Sequence, residues 1–141
     1  LSFAVISFYK AQADLIRKQL RTIADDDKKL RVGTVDSFQG MEFDVVFLSM
    51  VRTMPSRESI EACKRRVISK GETWTDIKEA QFCFGHLCLY NRLNVSMSRQ
   101  KKLLVVVGDV GALQNQLAED FVPGLVDFLQ LCRREGVVLP C

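Results

Sequence analysis

Val32-Gly33-Thr34-Val35-Asp36-Ser37-Phe38-Gln39-Gly40-Met41-Glu42-Phe43-Asp44 is the stretch that decides the fold. Its opening reads as a short strand over 31–35. A polar turn follows, carrying two small hydroxyls, an amide, a glycine and two carboxylates. Beyond it, 45–51 is a continuous apolar run of the kind that parallel sheets bury on both faces. The residues of the turn admit two readings. Thr34 and Ser37 suit hydrogen bonds to phosphate oxygens, as do the backbone N–H groups here, and Gly40 lets the backbone approach a ligand closely. Equally, Asp36 can be an ordinary cap and Gly40 an ordinary turn residue.

Working outward, residues 1–7 are apolar and β-prone and predict a buried strand. Over 10–23 the apolar positions Ala11, Leu15, Ile16, Leu20 and Ile23 recur at helical spacing, with Asp14, Arg17, Lys18 and Arg21 on the other face. The polar run 25–29 ends that helix. Composition shifts over 53–81, which is charge-rich, includes Pro55 and Gly71, and predicts a helix over 58–69 within an insertion. Further on, 90–98 reads as a short helix and 103–107 as a strand. Helices are expected over 111–117 and 122–134, the latter with Pro123 in its first turn and Gly136 as its stop. Strands alternating with helices imply an α/β fold with a parallel sheet. Ligands in such sheets sit at the carboxyl ends of strands, which directs attention to 7–12, 36–42, Arg52 and Gly108-Asp109.

A second segment, Asn91-Arg92-Leu93-Asn94-Val95-Ser96-Met97-Ser98-Arg99-Gln100-Lys101-Lys102, also carries chemistry. On a helix, Arg92, Ser96 and Arg99 share a face at i, i+4 and i+7. That face could offer a guanidinium to a phosphoryl group, since planar, always-charged arginine stabilises transferring phosphate charge. Taken alone, the segment reads more readily as a solvated basic face.

The bulk properties bound the function. The 141 residues, 48% hydrophobic and 26% charged, are those of one globular domain able to bury a core. No apolar stretch reaches the roughly 18 to 20 residues of a membrane helix, and no signal-peptide pattern opens the chain. The chain begins inside an expected strand and without Met, which suggests a piece of something longer. A net charge of +3 permits a nucleic-acid partner without requiring one. The five cysteines are irregularly spaced, with no C-x-x-C pair. Cys83, His86 and Cys88 lack a fourth partner at ligand spacing, so reduced thiols rather than a metal site are expected, in an intracellular compartment.

Taken together, the two segments resemble superfamily 1 helicases, in the branch of the RNA-surveillance helicases and senataxin. Residues 34–46 resemble motif V of that branch, and Arg92-Leu93-Asn94-Val95-Ser96-Met97-Ser98-Arg99 is similar to its motif VI. Ile6-Ser7-Phe8-Tyr9-Lys10-Ala11-Gln12 resembles the segment that opens the second motor half. The three occur in the family's order and cover most of the chain, with 53–81 unmatched. The resemblance implies a RecA-like C-terminal motor domain of the P-loop NTPase superfamily. By that likeness Arg99 is the arginine finger. Gln39, Gly40, Glu42 and Gln12 lie toward the nucleotide, and Thr34, Ser37 and Arg52 toward nucleic acid, with Arg92 and Asn94 bracing the motif VI helix. Phe8 stands where the family usually has Pro, and Gln100-Lys101 where it has Ala-Arg or Ala-Lys. No G-x-x-x-x-G-K-[ST] loop occurs in the chain. ATP and Mg²⁺ would therefore be held mainly by an N-terminal RecA-like domain, and the other implied partner is single-stranded DNA or RNA. The alternative is a non-catalytic nucleic-acid-binding or interaction module on the same fold; either way a cytoplasmic or nuclear site follows, with no membrane.

Overall fold

A computed structural model describes residues 1–21 and 29–140. The end of the expected first helix and most of the polar turn after it fall outside the described residues. The chain divides into two compact units, Leu1–Val51 with Leu89–Gly108, and Arg52–Cys88 with Asp109–Cys141.

The first unit is a parallel sheet of β1 (Phe3–Ser7), β2 (Leu30–Thr34), β3 (Phe43–Ser49) and β4 (Gln100–Val107), in the order β2-β1-β3-β4. Ser7 pairs with Thr34 and with Ser49, and Ser49 with Val107, so the four carboxyl ends are level. Helix α1 (Lys10–Leu20) connects β1 to β2 and packs on both. Its Ala13 is buried, its exposed Lys10, Asp14 and Arg17 form an ion-paired ladder at 2.7 and 2.8 Å, and Arg17 Nη2 donates to Val32 O at 2.7 Å. Leu15, grouped with the inward positions by spacing, is exposed instead.

Residues 35–42 cross from β2 to β3 over β1 without a full helix. A 3-10 turn, Val35–Phe38, makes the crossover, and the Phe38 side chain is fully buried under it. That burial contributes roughly 2 to 3 kcal/mol. Helix α4 (Tyr90–Met97) packs on this turn. Right-handed connections place α1 on one face of the sheet and the crossover with α4 on the other. Beneath the latter face Ala4, Ile6, Val46 and Leu48 are inaccessible, whereas Phe47, Leu103 and Val107 on the opposite face remain exposed and β4 forms an edge.

Strand β3 stops at Ser49 rather than reaching the expected residue 51. Val51 has φ of 64°, a conformation that opposes continuation of a strand and is costly for a β-branched side chain.

The second unit contains α2 (Arg57–Ser69), α3 (Asp76–Phe84), α5 (Gln116–Phe121) and α6 (Pro123–Glu135). Side chains cap three of them: Ser56 accepts from Ser59 N, Thr75 from Lys78 N and Asn115 from Ala118 N. The core gathers Ala80, Cys83, Phe84, Ala118, Val122, Leu125 and Leu129. The helix expected over 111–117 is replaced by a 3-10 turn, Val110–Leu113, and then α5, because Asn115 caps a new start.

Candidate functional site

The segment read as one loop spans two ends of the sheet. Thr34 closes β2 at the carboxyl edge, whereas Glu42 immediately precedes β3 at the amino edge. Sequence reasoning directed all of 36–42 to the carboxyl edge; the short crossover carries Gly40, Met41 and Glu42 back to the other.

At the carboxyl edge lies an open cleft of about 450 Å³, lined by Lys10, Arg17, Thr34, Asp36, Ser37 and Arg92 among others. Arg92 Nη2 meets Asp36 Oδ2 at 2.8 Å, which braces α4 against the crossover. Lys10, and after it Arg17, hold the Asp14 carboxyl below the usual carboxylate range. Ser37 Oγ donates to Thr34 O at 2.6 Å, so its proton is committed within the turn. Gly33 is required beneath it, because an added Cβ would collide with Ser37 Oγ and stand 3.2 Å from the Phe38 ring. Lys10 lies within 7–12, the stretch the sequence directs to the carboxyl edge, whereas periodicity puts Arg17 only on the helix's charged face. Their spacing of seven, directly after β1, is the signal that puts both at the cleft.

At the middle of the crossover, Arg31 on β2 stacks over Phe38, its guanidinium carbon 5.6 Å from the ring centroid. Its Nη1 donates to Met41 Sδ at 3.1 Å and its Nη2 to Ser37 O at 3.4 Å. Nothing in the sequence pattern marks this arginine.

At the amino edge, α4 ends at Met97 and Arg99 lies beyond its cap. The expected single helical face of Arg92, Ser96 and Arg99 is therefore broken. Ser96 is fully buried and donates to Leu93 O at 2.8 Å, so it is turned inward and not toward the face of the arginines. Arg99 is half-buried and all three of its nitrogens donate internally: Nε to Val95 O at 3.0 Å, Nη1 to Met41 O at 3.3 Å and Nη2 to Ser98 Oγ at 2.8 Å. Phe43 N donates to Arg99 O at 2.9 Å. Glu42 stands 3.7 Å from Lys101. Asp44 accepts from Ser2 N at 2.8 Å and lies 3.0 Å from Lys102; the Ser2 N–H first, and then Lys102, hold its carboxyl well below the usual range. Gly40 has φ of 77° and nothing within 4 Å of where a Cβ would stand. The exposed Gln39 lines a hollow of about 140 Å³ with Asp36, Asn91, Arg92 and Val95. Gln100 Oε1 is buried without a hydrogen-bond partner.

The structure thus gathers Gln39, Gly40, Glu42 and Arg99 around the crossover's second half, and Thr34 with Ser37 at its first. Gln12 stands apart from Arg99, in the first turn of α1 beyond the carboxyl end of β1. Arg52 belongs to the second unit, where its Nη1 donates to Phe82 O at 3.4 Å. Arg99 Nη1 thus reaches the carbonyl of Met41, the residue next to the bare backbone of Gly40. Among the described residues no group of three or more His, Cys, Asp or Glu is placed to hold a metal, and no helix is long and apolar enough to cross a membrane. Burial and Glu79 push the Cys83 thiol up to about 11.

A family profile described as an AAA domain matches residues 2–111, which takes in both segments and the whole sheet. The chain belongs to this family, among the superfamily 1 helicases. This superfamily 1 helicase domain is 36% identical over 116 residues to the DNA polymerase alpha-associated DNA helicase A of Saccharomyces cerevisiae, covering 80% of the chain and 13% of that relative. To the helicase required for RNAi-mediated heterochromatin assembly 1 of Schizosaccharomyces pombe it is 28% identical, covering 94% of the chain and 12% of the relative. To the human RNA helicase Mov10l1 it is 30% identical, covering 74% and 7%. The helicase domain therefore spans about an eighth or less of these relatives. Its parallel sheet flanked by helices is the RecA-like arrangement of P-loop NTPases.

Proposed function

We propose that this chain is the C-terminal motor half of an ATP-dependent superfamily 1 helicase, one RecA-like domain over 1–141 with an insertion at about 53–81. It supplies an arginine finger, Arg99, and part of a single-strand groove. The observation that carries the reading is Arg99 itself: an arginine held beside the bare Gly40 backbone, at the edge of the sheet opposite to the basic cleft. Bound ATP with Mg²⁺ would supply the phosphoryl group, held mainly by an N-terminal RecA-like domain that carries the phosphate loop.

In this reading Arg99 releases Met41 O and Ser98 Oγ and turns its guanidinium toward the terminal phosphate. Gly40 and Glu42 line that side, with Gln39 next to them. Thr34, Ser37, Lys10 and Arg17 face the sugar–phosphate backbone of DNA or RNA. Because one crossover of eight residues runs from Thr34 at one edge to Phe43 at the other and carries Ser37, Gln39, Gly40 and Glu42, a change at one end is felt at the other. Arg31, gripping Met41 and Ser37, transmits it.

The test is Arg99→Ala in a polypeptide that joins this chain to its ATP-binding half. Steady-state turnover should fall at least about 100-fold, the scale set by loss of a transition-state charge partner, while affinity for a single strand stays within about twofold. Unchanged turnover refutes the assignment. The chain alone should bind Mg-ATP no more tightly than about millimolar in calorimetry, since one side of a two-sided site offers few contacts.

A further inference from the structure

Helix α2 does nothing for the site described above, and little for the core. None of its side chains is buried, and it packs closely on no other element among the described residues. One face of it is half-covered, at Ile60, Cys63, Lys64 and Val67, so packing dictates little of the composition of its exposed positions. Residues 57–70 contain five cations, Arg57, Lys64, Arg65, Arg66 and Lys70, against Glu58 and Glu61; the rest of that unit carries twice as many carboxylates as cations. The segregation sharpens along the axis: from 62 to 71 there are four cations and no carboxylate.

None of these five cations lies within ion-pair distance of a carboxylate among the described residues, whereas Lys10, Arg17, Lys78, Arg92, Lys101, Lys102 and Arg134 all do. The helix dipole favours a cation in the last turn, which accounts for Arg66 alone. Lys64, Arg65 and Arg66 point in successive directions around the helix, and Lys70 stands roughly 6 Å along the axis from Arg66.

We propose that this cationic end of α2 is a second contact for the phosphodiester backbone of nucleic acid, separate from the cleft at Thr34 and Arg17. The proposal rests on the nucleic-acid partner argued above but not on ATP chemistry. A membrane surface fits worse. A helix lying in a bilayer needs a free apolar face, and here Ile60 and Val67 are half-covered, leaving Ile68 as the exposed apolar residue of α2. A single strand offers repeated phosphates of the right charge and demands no apolar face.

The experiment is fluorescence anisotropy of this chain with a labelled 20-mer of uridine, titrated at several salt concentrations. In K64Q/R65Q/R66Q/K70Q, affinity at low salt should fall about tenfold and the slope of log affinity against log salt should shrink by about 2 to 3, at ~0.7 per released counterion. Glutamine keeps helix propensity, and circular dichroism checks that α2 persists. The variant E58Q/E61Q should bind the strand more tightly. Arg17→Gln, in the cleft, serves as the comparison. Wild-type binding that Arg17→Gln weakens and the quadruple variant leaves intact overturns the α2 contact alone. No binding by the wild-type chain overturns the nucleic-acid partner as well. Loss of binding to phosphatidylserine vesicles, with strand binding intact, reassigns the surface to lipid and overturns the proposal.

Discussion

The two edges of the sheet are joined by one segment and differ in how open they are to solvent. At the carboxyl edge a cleft stands open, with Lys10, Arg17 and Arg92 around it and hydroxyls at its floor. At the amino edge the polar groups are turned on one another: Arg99 on Met41, Val95 and Ser98, Glu42 toward Lys101, Asp44 on Ser2 and Lys102. The cations of the cleft are paired as well, Lys10 and Arg17 with Asp14 and Arg92 with Asp36, but these pairs are exposed and such pairs are weak, so a phosphate can compete for them from solvent. Arg99 is half-buried among its acceptors, and only a strongly charged acceptor on the far side makes an exchange of partners favourable there. Under the proposed function, that difference would let one short crossover serve a strand at one end and a second domain at the other.

The comparison can be broken at its hinge. Gly33→Val should destabilise the chain by about 2 to 3 kcal/mol in urea unfolding, because the new side chain overpacks the space of Ser37 and Phe38. Strand affinity should fall further than stability alone explains, since the cleft floor moves with them. Retention of both would show that the crossover yields freely.

The amino edge can be sharpened instead. Gln100 leaves a buried amide oxygen unmatched at the start of β4. Gln100→Ala should therefore raise stability by about 1 kcal/mol, the lower end of the cost of an unsatisfied buried acceptor, without changing strand affinity at the cleft. A loss of stability would mean that the side chain's packing outweighs its orphaned oxygen.

The smallest effect is read through pH. Asp44 is held below its ordinary 3.8 by the Ser2 N–H and Lys102. A carboxyl lowered on folding stabilises above its unfolded value and loses that contribution as pH falls through its folded one. Asp44→Asn should accordingly lower the melting temperature at pH 7, and the gap from wild type should close steadily below about pH 4. A gap that is constant with pH would assign the effect to shape and not charge.

The sheet was legible because β1, β3 and β4 are apolar runs separated by amphipathic or polar stretches, but the expected burial of β3 on both faces was not met, since Phe47 in its middle is exposed. The direction of the crossover was not legible. Eight residues can either stay at one edge or cross the sheet, and what decides is Phe38, whose burial beneath the turn is a tertiary fact. Ser96 misled for the same reason: helical spacing grouped a hydroxyl with two arginines, while its small size let it pack inward and satisfy itself on Leu93 O. Arg31 gave no signal, since an arginine on a short edge strand is unremarkable until Met41 and Phe38 are folded over it. Helix α3 escaped because the charge and glycine of 53–81 masked a capped start at Thr75.

The outer flank of β4 has a consequence for the chain in bulk solution. Lys101 and Lys102 guard the beginning of that strand, but Leu103 through Val107 carry no charge, and Leu103 and Val107 are more than half exposed. Unpaired amides and carbonyls beside such a run are a template for another copy. At low ionic strength the net charge of +3 opposes the encounter; as the screening length shortens toward about 8 Å at physiological salt, that opposition fades. Added salt should therefore favour association of copies of this chain along β4, which static light scattering reads as a falling second virial coefficient.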